Sequence, residues 1–155
     1  MMISTKGRYA LRIMLDLAQH KEKECVSLKE IALRQEISVK YLEAVISLLN
    51  KAGLVISRMG KGGGYRLSRE PEKYTIGEIL RTTEGILAPV ACLKCERNTC
   101  ARADSCLTLP MWRELNLLVN QYLDSISLQD LLMGDVSQSA GDNSPISPID
   151  IIGFK

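Results

Sequence analysis

Histidine is almost absent: His20 is the only one in 155 residues. The commonest general base and imidazole metal ligand is therefore missing from nearly all of the chain. No nucleophile–base pair and no nucleotide-binding motif takes its place, so the sequence does not read as an enzyme. Aromatic residues make up only 5%. No apolar run approaches the roughly 20 residues that cross a bilayer. The first residues, Met1 to Lys6, lack the apolar stretch and cleavage site of a secretory leader. The expectation is a cytoplasmic protein with no membrane partner.

Net charge is also small, at +2, but it is unevenly spread. Residues 1–74 carry 14 Lys and Arg against 8 Asp and Glu, whereas residues 75–155 carry 6 against 10. A basic half on a near-neutral chain points to a polyanion such as nucleic acid, or simply to a solvated basic surface. The cysteines are more specific. Cys25 stands alone, while Cys92, Cys95, Cys100 and Cys106 fall within fifteen residues. In a reducing compartment such a cluster reads as metal-binding or redox-active, not as a structural disulfide set.

Hydrophobic spacing divides the chain into elements. Tyr9, Ala10, Ile13, Met14 and Leu17 predict an amphipathic helix over 7–20. Ser27-Leu28-Lys29-Glu30 has the form of a capping box, opening a short helix with Leu28, Ile31 and Ala32 inward. Ser38 caps a third helix, Val39 to about Lys51, with Val39, Leu42, Val45, Ile46 and Leu49 as its buried stripe and Gly53 near its stop. The period then changes. Leu54–Ser57 and Tyr65–Leu67 read as strands joined by the turn Gly60-Lys61-Gly62-Gly63-Gly64. Thr75-Ile76-Gly77-Glu78 is a second capping box. The segment from about Gly85 to Leu109 reads as a loop, followed by a helix from Pro110 and a last short helix over Ser127–Met133. From Gly134 the chain is polar and reads as a disordered tail, 134–155.

Three short helices followed by a hairpin make a winged helix-turn-helix, within a mainly α fold class. Its third helix can enter a major groove with its N-terminal residues toward the base edges. Lys40 and Tyr41 suit phosphate or base contact there, and Glu43 can accept from a cytosine amino group. Arg58 and Lys61 sit on the Gly-rich hairpin tip, where the bare backbone can approach DNA closely. The candidate DNA-binding set is Lys6, Tyr9, Ser38, Lys40, Tyr41, Glu43, Arg58 and Lys61. The Gly-rich stretch lacks the Gly-Lys-Ser/Thr ending of a phosphate-binding loop and lies between strands, which argues against nucleotide binding. Taken alone, Lys40 and Glu43 also fit a solvated helix face.

The cysteine spacing is Cys92-x2-Cys95-x4-Cys100-x5-Cys106. Thiolates are soft ligands that select zinc or iron–sulfur clusters. A zinc ribbon usually has two Cys-x2-Cys knuckles, and here there is one. The wider intervals suit a loop wrapped around a [2Fe–2S] cluster, with Lys94, Arg97 and Arg102 offsetting its negative charge. Zinc and a set of redox thiols remain as alternatives. The helix after Pro110 carries Met111, Leu115, Leu118, Val119 and Tyr122 on one face, widened by Trp112, Leu117 and Leu123. Two copies packed antiparallel would bury that face and set two winged domains about one DNA turn apart, matching a palindromic site in double-stranded DNA.

With these residues in view, the chain resembles the IscR-type iron–sulfur cluster regulators, a family with the relatives NsrR and CymR. The matching stretches are Ser4-Thr5-Lys6-Gly7-Arg8-Tyr9-Ala10, Ile37-Ser38 with Tyr41-Leu42-Glu43, Gly53-Leu54-Val55, Gly62-Gly63-Gly64-Tyr65, Gly77-Glu78-Ile79, and Cys106-Leu107-Thr108 with Trp112. The resemblance implies a homodimeric regulator in which a [2Fe–2S] cluster tunes promoter choice or affinity. It would control iron–sulfur cluster biogenesis or related redox genes. By position, Cys92, Cys100 and Cys106 match the three family cysteines. The interval between the first two is longer than the family's by two residues and contains Cys95. Leu109 stands where IscR-type proteins have a ligating His, and Arg8 where NsrR-like relatives supply an acidic ligand. Cys95 is the first choice for the fourth ligand, with Glu84, Glu96 and Asp104 behind it. The alternative is a cluster-free, CymR-like regulator of cysteine or sulfur metabolism, or a repressor answering to thiol oxidation or nitric oxide. The implied organisation is a DNA-binding domain over 1–83, a cluster loop over 84–109, a dimerisation helix and short helix over 110–133, and the tail.

Overall fold

The computed structural model describes residues 2–95 and 100–136. Helices α1 (Thr5–Gln19), α2 (Leu28–Gln35) and α3 (Val39–Lys51) come first. The hairpin β1 (Val55–Arg58) and β2 (Gly64–Leu67) follows, and then α4 (Ile76–Glu84), α5 (Leu109–Ser125) and α6 (Leu128–Met133). The expected tail lies, from Ser137 on, outside the described residues.

Caps set most of the boundaries. Helix α1 begins at Thr5, two residues before the expected start, because Ser4 accepts from the Gly7 amide at 3.4 Å. The same hydroxyl donates to the Glu84 carboxylate at the end of α4. At α2 the capping box is complete. The Ser27 amide donates to Glu30 Oε2 at 2.9 Å, and the Glu30 amide to Ser27 Oγ at 3.3 Å. Helix α2 ends with Glu36 in the left-handed region at φ 54°, and the Ile37 amide bonds back to the Ala32 carbonyl at 3.1 Å. This compact stop turns the chain into α3 within three residues. Ile37 is buried and Ser38 caps the new helix, accepting from the Tyr41 amide at 3.3 Å.

The core is built around α1. Its Ala10, Ile13, Met14 and Leu17 are buried with Leu42, Val45, Ile46 and Leu49 of α3 and with Ile76, Ile79 and Leu80 of α4. Val39 was expected in the buried stripe of α3 but is 39% exposed. The first turn of α3 projects from the core, so Lys40 and Tyr41 are exposed as well.

The second capping box forms only halfway. Thr75 Oγ1 accepts from the Glu78 amide at 3.1 Å, but the Glu78 carboxylate pairs with Arg69 at 2.8 Å. A cap of the reciprocal kind appears instead at α6, between Ser127 and Asp130. The Ile76 amide donates to the Ile126 carbonyl and the Leu128 amide to the Tyr74 carbonyl, both at 2.9 Å. These two bonds, with buried Ile126 and Leu128, bring the end of the described chain back into the core. The buried Tyr74 hydroxyl donates to the Leu54 carbonyl at 2.8 Å and accepts from the Arg69 amide at 2.8 Å.

Candidate nucleic-acid interface and cysteine segment

Helix α1 holds the turn between α2 and α3 through a buried charge. Asp16 is 1% exposed. Its carboxylate accepts from Arg34 Nε at 3.0 Å, from Arg34 Nη2 at 2.6 Å and from Gln35 Nε2 at 2.9 Å. Burial pushes the Asp16 carboxyl up. The hydrogen bonds from Arg34 and Gln35, with the Arg34 charge, outweigh burial and hold it below the usual range. Arg12 lies one turn earlier on α1. It donates from Nε to Gln35 Oε1 at 3.0 Å and from Nη2 to the Gln35 carbonyl at 2.6 Å. The end of α2 is thus tied to α1 through two adjacent residues, Arg34 and Gln35.

The predicted DNA-contacting residues fall into two groups. Ser38, Lys40, Tyr41 and Glu43 are exposed at the start of α3. Tyr9, from α1, meets Tyr41 edge to face, with ring centroids 5.4 Å apart and planes at 78°. The aromatic pair ties α1 to the exposed first turn of α3. Lys6 lies one turn before Tyr9 on the same helix.

The second group is on the hairpin. The strands pair Val55 with Leu67, Ile56 with Arg66, Ser57 with Tyr65 and Arg58 with Gly64. Val26, just before α2, adds one further antiparallel bridge, to Tyr65 of β2. Its amide donates to the Tyr65 carbonyl at 2.9 Å and the Tyr65 amide to its carbonyl at 2.8 Å. The strands approach so closely that a Cβ on Gly64 would collide with the Val26 carbonyl. The tip turns at Gly60 and Gly62, both at positive φ, and leaves Lys61 exposed. Arg58 does not project freely: its guanidinium pairs with Glu24 in the loop before α2.

The cysteine segment leaves the core after α4. Cys92 and Cys106 are half-buried, Cys95 and Cys100 are exposed, and the five cysteines form no disulfide with one another. Cys92 lies in a 3-10 turn over Ala91–Leu93, and Cys106 follows another over Ala103–Ser105. The Cys106 sulfur lies 3.4 Å from the Thr108 hydroxyl. That hydroxyl, with the Thr108 and Leu109 amides, draws its thiol below the usual value. Among the described residues, no three His, Cys, Asp or Glu side chains stand close enough to share a metal ion. Of the reserve ligands, Glu84 is hydrogen-bonded to Ser4, Asp104 is exposed, and Glu96 lies outside the described residues. Leu109 is buried, and Arg8 is exposed and bonded to Thr5. The donor chemistry therefore fits a [2Fe–2S] cluster, with soft sulfurs on a surface segment, although the sulfurs are not gathered into one group.

Helix α5 follows directly. Arg81 of α4 reaches Asn120 at 3.0 Å and also pairs with Asp124, which fixes one side of the helix. The other side exposes Met111, Leu115, Leu118 and Tyr122, with Leu118 at 54%, and Leu117 is exposed nearer Asp124.

Sequence reasoning missed the Asp16–Arg34–Gln35 network. One signal was available: Asp16 sits beside Ile13 and Leu17 at helical spacing, a carboxylate in a buried stripe. Arg12 carried no such signal, because Gln35, whose side chain and carbonyl it holds, is brought near only by the fold.

A helix led by a tight turn, projecting its first residues beside a hairpin, defines a winged-helix transcription regulator. Comparison with known proteins agrees. The family model described as Rrf2, iron-dependent transcriptional regulator, matches residues 3–134. Protein rrf2 of Nitratidesulfovibrio vulgaris is 40% identical over 148 residues, 96% of this chain and 97% of that one. The solved structure of CymR, the global cysteine regulator of B. subtilis, is 40% identical with a TM-score of 0.71, covering 86% of this chain and 98% of that one. T. potens IscR is 38% identical with a TM-score of 0.68, covering 92% and 93%. The chain belongs to the Rrf2 family of transcription regulators. It is a regulator and not an enzyme, and its family implies DNA binding. No described helix is long and apolar enough to cross a membrane.

Proposed function

We propose that this chain is a cytoplasmic homodimeric regulator whose binding to palindromic promoter DNA is set by a [2Fe–2S] cluster. Cys92, Cys100 and Cys106 hold the cluster, with Cys95 as fourth ligand, and the regulated genes serve iron–sulfur cluster biogenesis. What carries the reading is the placement of the sulfurs: four within fifteen residues, on a surface segment running into α5. The cluster would supply a redox- and iron-sensitive charge at that segment. The family description as iron-dependent supports the same reading. The exposed apolar face of α5 supports the dimer, since an unpartnered stripe of that width on a surface helix calls for a partner. On this reading the chain divides into a DNA-binding domain over 1–83, a cluster loop over 84–109 and a dimerisation region over 110–133. Lys6, Ser38, Lys40, Glu43, Arg58 and Lys61 face the DNA, and Tyr9 supports Tyr41 at that surface.

Anaerobic reconstitution with iron and sulfide tests this, read by visible absorption, by metal and sulfide content, and by binding to a promoter fragment. Uptake of two iron and two sulfide per chain with altered DNA affinity is expected. A protein that takes up no cluster, or binds DNA identically with and without it, refutes the sensing role.

A second reading keeps DNA binding without the metal. It is favoured by the likeness to CymR, the global cysteine regulator of B. subtilis. Replacing Cys92, Cys100 and Cys106 together by Ala distinguishes the two. Full regulation by the triple variant would establish the second reading.

A further inference from the structure

Arg12 is exposed, yet three features of its guanidinium are engaged at once. Nε donates to the Gln35 side chain at 3.0 Å, Nη2 donates to the Gln35 carbonyl at 2.6 Å, and the planar group lies over the Tyr9 ring, 5.3 Å from its centroid. The carbonyl belongs to the last residue of α2, which lacks an intrahelical donor, and a cation there also meets the negative end of the helix dipole. One residue later the chain passes through left-handed Glu36 into the turn that leads to Ser38. Tyr9 also packs edge to face on Tyr41. Tyr41 belongs to the first turn of α3, and its amide donates to the Ser38 cap. Arg12 therefore grips both ends of the helix-turn-helix connection: the last carbonyl of α2, and through Tyr9 the first turn of α3.

We propose that Arg12 is a positioning residue for sequence readout, setting the start of α3 through Gln35 and through the Tyr9–Tyr41 pair. Planarity is what the position requires. Two parallel donors and a flat face over an aromatic ring are properties of guanidinium that an ammonium group lacks. The alternative role for an exposed cation near this surface is direct contact with a DNA phosphate, which either Arg or Lys can make. The inference rests on α3 being the element that reads DNA.

The test uses the full-length chain with two duplexes: one selected by the wild-type protein from a random-sequence pool, and a generic duplex of equal length. Arg12→Lys and Arg12→Met are compared with wild type across a salt series. If Arg12 positions α3, both variants lose about tenfold in preference for the selected duplex, about the effect of one mismatched base pair. The salt slope on the generic duplex then stays unchanged. In a Tyr9→Leu background the same Arg12 substitutions should cost much less, because one of the two grips is already gone. If Arg12→Lys keeps full preference while Arg12→Met flattens the salt slope by about one unit, Arg12 is a phosphate contact and the proposal fails. Wild-type preference in both variants also overturns it. Lys40→Ala serves as the control on the α3 reading. Unchanged binding by that variant and by Tyr41→Ala would show that α3 does not read DNA, a failure separate from that of Arg12.

Discussion

Replacing Asp16 with Asn should destabilise the protein by about 3 kcal/mol. The carboxylate is 1% exposed and accepts three hydrogen bonds, two from Arg34 and one from Gln35. Asparagine keeps the shape but offers one acceptor oxygen, and it turns an amide toward donors. Removing one partner of a buried ion pair costs about 3–5 kcal/mol, because the other charge is stranded. Arg34 retains 29% of its side-chain exposure, so water can partly solvate the stranded guanidinium, which selects the lower end. For a chain of this size each kcal/mol lowers the melting temperature by about 2–4 °C, so the midpoint should fall by about 6–12 °C. Urea titration and thermal melting followed by circular dichroism measure it. The paired change Asp16→Leu with Arg34→Met should recover most of the loss, since an apolar replacement of the whole pair strands no charge. The pH dependence supplies a second check. The Asp16 carboxyl is held below its ordinary value in the folded protein, so its contribution is complete above about pH 4, the unfolded value. It is lost as pH falls from there through the folded value. The gap between wild type and Asp16→Asn should therefore narrow below about pH 4. A loss under about 1 kcal/mol at neutral pH, or a gap that does not change with acid, would refute the assignment.

Other substitutions probe the rest of the molecule. Leu118→Glu puts a charge in the exposed apolar face of α5 and should convert the proposed dimer to a monomer in sedimentation, with little effect on the melting of each chain. Glu24→Gln releases Arg58 from its ion pair. It should raise affinity for generic DNA by up to about fivefold and steepen the salt dependence by up to about one unit, read by fluorescence anisotropy. Glu36→Gly relieves a left-handed non-glycine residue and should stabilise the chain by about 1 kcal/mol in urea titration. Gly64→Ala drives a methyl group into the Val26 carbonyl and should cost about 2 kcal/mol. The Tyr65 and Val26 amides should then exchange faster with deuterium.

Much of this architecture was legible in the sequence because its signals are local. Ser27 with Glu30, Ser38 and Gly53 each mark a helix end through bonds that span a few residues, and α3 runs over the residues its spacing predicted. The differences arose where a distant partner competed. Glu78 left its capping box for Arg69, and Val39 lies on a turn of α3 that outruns the core. The candidate interface was partly legible. The exposed start of α3 followed from amphipathic spacing, whereas the pairing of Arg58 with Glu24 and the Tyr9–Tyr41 contact join residues more than thirty positions apart. No local pattern encodes such contacts. In the cysteine segment the spacing fixes no geometry, because no periodic burial constrains a loop.

The central place of α1 also shapes how the chain is made. It leaves the ribosome before its partners α3, α4 and α6, and α6 begins only at Leu128. At synthesis rates of about 5–20 residues per second, the last of these partners arrives about 5–25 seconds after α1 is complete. Through that interval Ala10, Ile13, Met14 and Leu17 lack part of their cover. Although most of its described elements are helices, the fold depends on long-range closure between α1 and α6, the kind of topology that slows folding. Its nascent form should spend that interval with the hydrophobic face of α1 still waiting for α6.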